Sequence, residues 1–361
     1  MKERKIKVLV VEDAGAEPEG LARILGSDGA IQVVGSVRGG QAALRFLATH
    51  AADLILLDIE SPIADGFETT RMIMESRPLP IVICNRSRDP HGSVTMFRSI
   101  EAGAVACVER PPEPNHREFH QRSAHLLQTV KLMSEIKVVH RWPRSRRANE
   151  PEDVATASRA PGAGGPIEIV GIGASTGGPP VLRTILAALP RDFAAAVLIV
   201  QHIAPGFLTG MTDWLSQTTG MEIHIAEHQT QIRSGHVYLA PDGLHMTVDR
   251  SGTILLNRGD YNNGVRPSVN HLFRSLADGY GPSAVGVLLT GMGKDGAEEL
   301  KRMRDRGAMT IAQDQETSVV HGMPGEAIAL GAASYVFPPD KIAPALAALA
   351  QQRSIHQGVL S

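Results

Sequence analysis

The stretch "GIGASTGGPP" (171–180) sets four glycines and two prolines around Ser175 and Thr176. Before it runs "PIEIV" (166–170), short and apolar. After it runs "VLRTILAALP" (181–190), with Leu and Ile at helical spacing. A strand, a glycine-rich bend and a helix in that order form the repeating unit of a doubly wound α/β fold. The bend admits two readings: a backbone cradle for a phosphate, or a turn that holds Ser175 up as a nucleophile.

The alternation continues on both sides. Downstream, apolar runs recur as "AAVLIV" (195–200), "MEIHIA" (221–226), "HVYLA" (236–240), "TILLN" (253–257), "AVGVLLT" (284–290), "AMTIAQ" (308–313) and "ASYVF" (333–337), several separated by helical patterns. Within "GHVYLAPDGLHMTVDRSGTILL" the runs are close together and joined by Gly turns, which predicts a hairpin. Upstream, "KVLVV" (7–11), "IQVVGSV" (31–37), "DLILLD" (53–58), "LPIVIC" (79–84) and "AVACV" (104–108) alternate with amphipathic stretches such as "QAALRFLATH" and "VTMFRSIEAG". Five strands alternating with helices imply a second parallel sheet covered on both faces.

Between the two halves, "PRSRRANEPEDVATASRAPGAGGP" (143–166) has almost no large apolar residue and cannot bury enough surface to fold alone. The expected organisation is a first domain over 1–120, a linker over 121–165 and a second domain over 166–352. The arginines at 141, 144, 146 and 147 read as a solvated linker face.

Composition removes several classes of function. Net charge is −2 and aromatic residues make up 4% of the chain, so neither a nucleic-acid surface nor an anionic-membrane surface is indicated. Cys84 and Cys107 sit in apolar runs as expected buried thiols, and two cysteines make no disulfide framework. The basic start "MKERKIKVLVVEDA" turns acidic at Glu12 and Asp13 after too short an apolar run for a secretory signal. No apolar run is long enough to cross a membrane. A cytoplasmic protein, not embedded in a membrane, is expected.

"GASTG" (173–177) fits G-x-S-x-G, in which a sharp strand-to-helix turn exposes a serine and the helix N–H groups face an oxyanion. The competing dinucleotide fingerprint would need glycine at Thr176. It would also need a carboxylate at the end of the next strand, which instead ends in Gln201-His202. His202 suits proton transfer. In an open parallel sheet the strand ends share one crevice. There "AVGVLLTGMGKDGAEEL" adds a glycine loop and Asp295 after a wholly apolar strand. Ser175, His202 and Asp295 thus form a candidate nucleophile, base and orienting acid, with no cofactor required. His224, His228, His236 and His245 lack metal-ligand spacing. Asp314 reads as a plain loop acid.

In the first domain Glu12, Asp13 and Asp58 end neighbouring strands. Carboxylates so placed call for a hard cation such as Mg²⁺, beside which an aspartate can be phosphorylated.

The succession of "GASTGG", "QHI", "LTGMGKDGA" and "AQDQETSVVHGMPGEAI" behind an acidic first domain resembles the CheB-type protein-glutamate methylesterases of bacterial chemotaxis over nearly the whole chain. The resemblance implies a flavodoxin-like response-regulator receiver followed by a doubly wound, mostly parallel catalytic domain. It implies hydrolysis of glutamate methyl esters and deamidation of glutamines on methyl-accepting chemoreceptors. A sensor histidine kinase would be the phosphodonor, and the receiver would cover the catalytic crevice until phosphorylated. Matching motifs make Ser175 the nucleophile, His202 the base and Asp295 the orienting residue, with Thr176 and the Met292 N–H around the oxyanion. Asp58 falls on the phosphoacceptor, and Glu12 and Asp13 on the metal pocket. This sequence departs from the family at Ser61-Pro62, at Asn85 where Ser or Thr is usual, and at Arg110 where Lys is usual. Arg is a planar fork rather than a point charge, so the switch positions differ in kind.

A second reading, motivated by Asn85 and Arg110, is a two-domain signalling adaptor with a degenerate receiver and no catalysis. A third, a nicotinamide-dependent reductase, would require cofactor binding.

Overall fold

Strand β1 (Ile6–Glu12) is buried from Val8 to Glu12, which is why "KVLVV" reads as an unbroken apolar run. Leu9 and Val11 enter one core and Val8 and Val10 another, because successive strand side chains point to opposite faces. The computed structural model describes residues 4–12, 19–59, 66–85, 97, 99–100, 102–136, 167–260 and 264–357. Half of the expected helix "VTMFRSIEAG" and all of the arginines at 141–147 lie outside the described residues.

With β2 (Ile31–Arg38), β3 (Leu54–Ile59), β4 (Ile81–Asn85) and β5 (Ala106–Glu109), β1 forms a parallel sheet of order β2-β1-β3-β4-β5. Helices Glu19–Gly26 and Phe119–Met133 cover one face. Helices Gly39–Thr49 and Gly66–Ser76 cover the other. Leu126, Val130 and Met133 of helix Phe119–Met133 pack with Val8, Val10 and Leu56, so this stretch beyond residue 120 is built onto the first sheet.

The second sheet contains β6 (Ile169–Ala174), β7 (Ala196–Gln201), β8 (Glu222–Ile225), β9 (His236–Leu239), β12 (Ala284–Leu288), β13 (Met309–Gln313) and β14 (Tyr335–Phe337). Its order is β14-β13-β12-β6-β7-β9-β8, and every neighbouring pair is parallel. The expected hairpin is β10 (His245–Val248) with β11 (Ile254–Asn257), an antiparallel pair outside this sheet. "HVYLA" does not join it; β9 is a main-sheet strand beside β7. From β6 the chain first builds outward through β7, then returns to add β12 on the other side. β6 is therefore the topological switch point, and the crevice at the carboxyl ends opens there.

Candidate active site

Ser175 follows β6 directly, and three neighbours fix its backbone. Its N–H donates to Thr290 O at 3.0 Å. Its carbonyl accepts from Gly178 N at 2.8 Å and from Gln201 Nε2 at 2.8 Å. The turn requires glycine at two points. Gly177, at φ 79°, is left-handed at the N-cap of helix Gly178–Ala188. A Cβ on Gly291 would stand 2.7 Å from the Ser175 Cβ. Among the described residues the Ser175 hydroxyl has no hydrogen-bond partner, and the side chain is half-buried rather than sealed.

His202 follows β7, whose Gln201 is in register with Ala174 of β6, so the imidazole and the hydroxyl rise from adjacent strand ends. His202 N donates to Ala174 O at 2.9 Å, and Gln201 Nε2 also reaches His202 O at 2.8 Å. One buried glutamine thus ties both turns together.

Asp295 comes from the loop after β12 and crosses to His202, with Oδ2 3.0 Å from Nε2. That carboxylate is 3% exposed and needs partners, since a buried charge left unpaired is costly. Oδ1 accepts the Ser268 hydroxyl at 2.6 Å, and Oδ2 accepts the Val269 N–H at 2.7 Å. Burial pushes the Asp295 carboxyl upward. The bonds from His202, Ser268 and Val269 outweigh it and hold the group below the ordinary carboxylate range. Asn270 completes the frame, its Oδ1 accepting the Gly296 N–H at 2.9 Å.

Thr176 gives its carbonyl to Thr290 Oγ1 at 2.9 Å. Met292 is 41% exposed beside the serine turn, and its N–H has no acceptor among the described residues. Asp314 is a loop acid, accepting the Thr317 N–H at 3.1 Å.

The supporting residues Gln201, Thr290, Ser268 and Asn270 were not singled out from sequence. Ser268 did carry a signal. It precedes the apolar-periodic "VNHLF" and is the N-cap of helix Val269–Gly279, its Oγ accepting the Asn270 N–H. That signal marks a helix start, not a contact with Asp295.

In the first domain Val11 of β1 is in register with Leu57 of β3, which sets Glu12 beside Asp58, both buried. Arg110, 8% exposed, ion-pairs with Asp58, and its N–H donates to Asn85 O at 2.8 Å. Asp13, Ser61 and Pro62 lie outside the described residues. Arg110 thus pairs directly with the aspartate.

The two domains touch. Gln128 Nε2 lies 3.8 Å from Met292 Sδ. Phe97 stacks on Trp214 with ring centroids 5.4 Å apart. Val319 and Val320, which flank the serine turn through Gly177 and Gly291, pack against the first domain's core.

Residues 170–346 match the family described as CheB methylesterase, and residues 8–119 match the response regulator receiver domain. The chain is 50% identical over 348 residues to the protein-glutamate methylesterase/protein-glutamine glutaminase 1 of Syntrophus aciditrophicus, covering 96% of this chain and 98% of that one. It is 45% identical over 349 residues to the fourth such protein of Geobacter metallireducens, covering 96% of this chain and all of that one. The crystal structure of the Thermotoga maritima CheB methylesterase catalytic domain matches 51% of this chain and 98% of its own length, at 38% identity and a TM-score of 0.49. Relatives named as enzymes over nearly the full length do not favour the adaptor reading. Among the described residues no helix is long and apolar enough to cross a membrane.

Proposed function

The chain belongs to the CheB methylesterase family, and from that premise we propose that Ser175, His202 and Asp295 hydrolyse glutamate methyl esters and deamidate glutamines on methyl-accepting chemoreceptors. The observation that carries the reading is the pairing of His202 with Asp295 at 3.0 Å, one strand end away from a serine held on a nucleophile turn.

Ser175 Oγ attacks the side-chain carbonyl carbon of the substrate. His202 takes the hydroxyl proton and returns it to the departing methanol, or to ammonia from a glutamine. Water, activated by the same imidazole, then hydrolyses the acyl-enzyme to glutamate and free serine. With Nε2 bonded to Asp295, Nδ1 is the nitrogen left to exchange the serine proton, and Asp295 stabilises the imidazolium as it forms. The Met292 N–H, Thr176 and the N-terminus of helix Gly178–Ala188 surround the developing oxyanion. Every group in this sequence is a side chain or main-chain N–H, so the ester chemistry needs no cofactor.

The receiver reading assigns phosphorylation to Asp58 by a sensor histidine kinase. Arg110 offsets one buried carboxylate, and Glu12 leaves a second beside it, an excess of negative charge that suits a divalent cation. Glu12, Asp13 and Asp58 would hold Mg²⁺, which would neutralise phosphoryl charge there. The contact of Gln128 with Met292 supports a receiver that restrains the crevice from one side.

The test is methanol release from methylated receptor membranes. Ser175→Ala is expected to lower turnover by a factor on the order of 10⁶. Undiminished release would end the reading.

A further inference from the structure

His245 opens the hairpin that lies outside the main sheet, and its ring is fully buried. Both ring nitrogens are engaged. Nδ1 accepts the Ser268 N–H at 3.2 Å, and Nε2 lies 2.9 Å from the Asp260 carbonyl oxygen. An accepting nitrogen carries no proton, so the ring proton sits on Nε2 and is donated to Asp260 O; one tautomer satisfies both bonds. His271 stacks on the ring with centroids 3.8 Å apart.

Ser268 is where this buttress meets the catalytic groups. Its main-chain N–H goes to His245, and its hydroxyl goes to Asp295 at 2.6 Å. The next residue, Val269, gives its N–H to the same carboxylate at 2.7 Å. The remainder of the hairpin holds the helix behind them. Met246, Val248 and Ile254 pack with Val269, Leu272 and Phe273, and Val248 N donates to Ser275 Oγ at 3.1 Å.

We propose that His245 is a positioning residue for catalysis. By accepting the Ser268 N–H it locks the helix N-terminus that holds Asp295 against His202, and the hairpin exists in this fold to deliver it. The proposal rests on the Ser175–His202–Asp295 reading. The titratable and charged groups around the ring are His271 on its face and Asp295, Arg274 and Glu299 on or against the adjoining helix, while Asp260 meets Nε2 through its main-chain carbonyl.

The experiment is the rate at which a fluorophosphonate labels Ser175 in the full chain, followed across acid and neutral pH. His245→Asn places an acceptor oxygen near the Nδ1 position, whereas His245→Gln places its amide near Nε2 and leaves the Ser268 N–H unmet. The Gln variant is expected to label about tenfold more slowly. The Asn variant, which restores the acceptor, should stay within about threefold of the parent. Equal rates for the two variants, or comparable slowing of both, overturn the positioning role. Ser175→Ala must abolish labelling; labelling that survives it removes the serine-hydrolase reading and this proposal with it. A measurement on the unmutated chain needs no variant to fold: ¹⁵N shifts should report the Nε2–H tautomer of His245. A proton on Nδ1 at neutral pH overturns the proposal.

Discussion

His202 Nε2 and Asp295 Oδ2 meet at 3.0 Å although 93 residues separate them in the chain. The bond is charge-assisted and buried on the carboxylate side, where such bonds exceed neutral ones in strength. Asp295→Asn would offer an amide N–H to His202 and favour the wrong tautomer. It is expected to lower kcat by about 10³–10⁴ with KM little changed, as steady-state methanol release would measure. The same substitution alters acid stability. The Asp295 carboxyl titrates below its unfolded value, so its contribution to folding is complete above that value and is lost as pH falls through the folded one. Denaturant midpoints followed into acid should therefore fall more steeply for the parent than for the Asn variant.

Ser268→Ala removes a helix cap and a ligand of the Asp295 carboxylate together. Loss of the cap should cost about 1 kcal/mol of stability, read from urea unfolding. The lost hydroxyl bond should slow kcat roughly five- to tenfold. A stability loss with kcat unchanged would mean that the Val269 N–H suffices to hold the acid.

Gly291→Ala sets a methyl group 2.7 Å from the Ser175 Cβ, inside any real contact distance. Turnover is expected to fall by at least about tenfold, because a small displacement of the nucleophile is enough to do so. Labelling of Asp58 by acetyl phosphate should be unaffected, since the first domain is untouched. Normal methanol release from this variant would show that the turn yields without moving the serine.

Trp214 is 2% exposed and stacks on Phe97 of the first domain. The chain has two tryptophans, so in a Trp142→Phe background its emission reports that contact alone. Mg²⁺ with acetyl phosphate is expected to shift Trp214 emission to the red, and Asp58→Asn should abolish the shift. An unchanged spectrum while Asp58 carries label would mean that phosphorylation leaves the domains in contact.

Much of the fold was legible because parallel strands buried on both faces are apolar along most of their length, with polar residues confined mainly to their carboxyl ends. "DLILLD" and "AVGVLLT" declare themselves in this way, as β3 and β12. The exception is instructive. "HVYLA" stands close to the hairpin in sequence, yet β9 runs parallel beside β7. Four residues specify an extended segment but not a partner or a direction, which depend on the connections and on what packs above. The triad residues were legible for a related reason, since each follows a strand that sequence alone reveals, and strand ends in such a sheet face one crevice.

Sequence by itself determined the strand–turn–helix units, the order of the two domains and the residues fit to attack a carbonyl, because apolar periodicity, glycine at a tight turn and side-chain chemistry are local properties. Tertiary structure alone decided that Nε2 rather than Nδ1 meets Asp295, that Ser268 and His245 stand behind it, and that Gln128 and Phe97 reach across from the other domain. Those contacts join loops and helix ends distant in the chain. Their geometry follows from how whole layers pack, a quantity that no local pattern encodes.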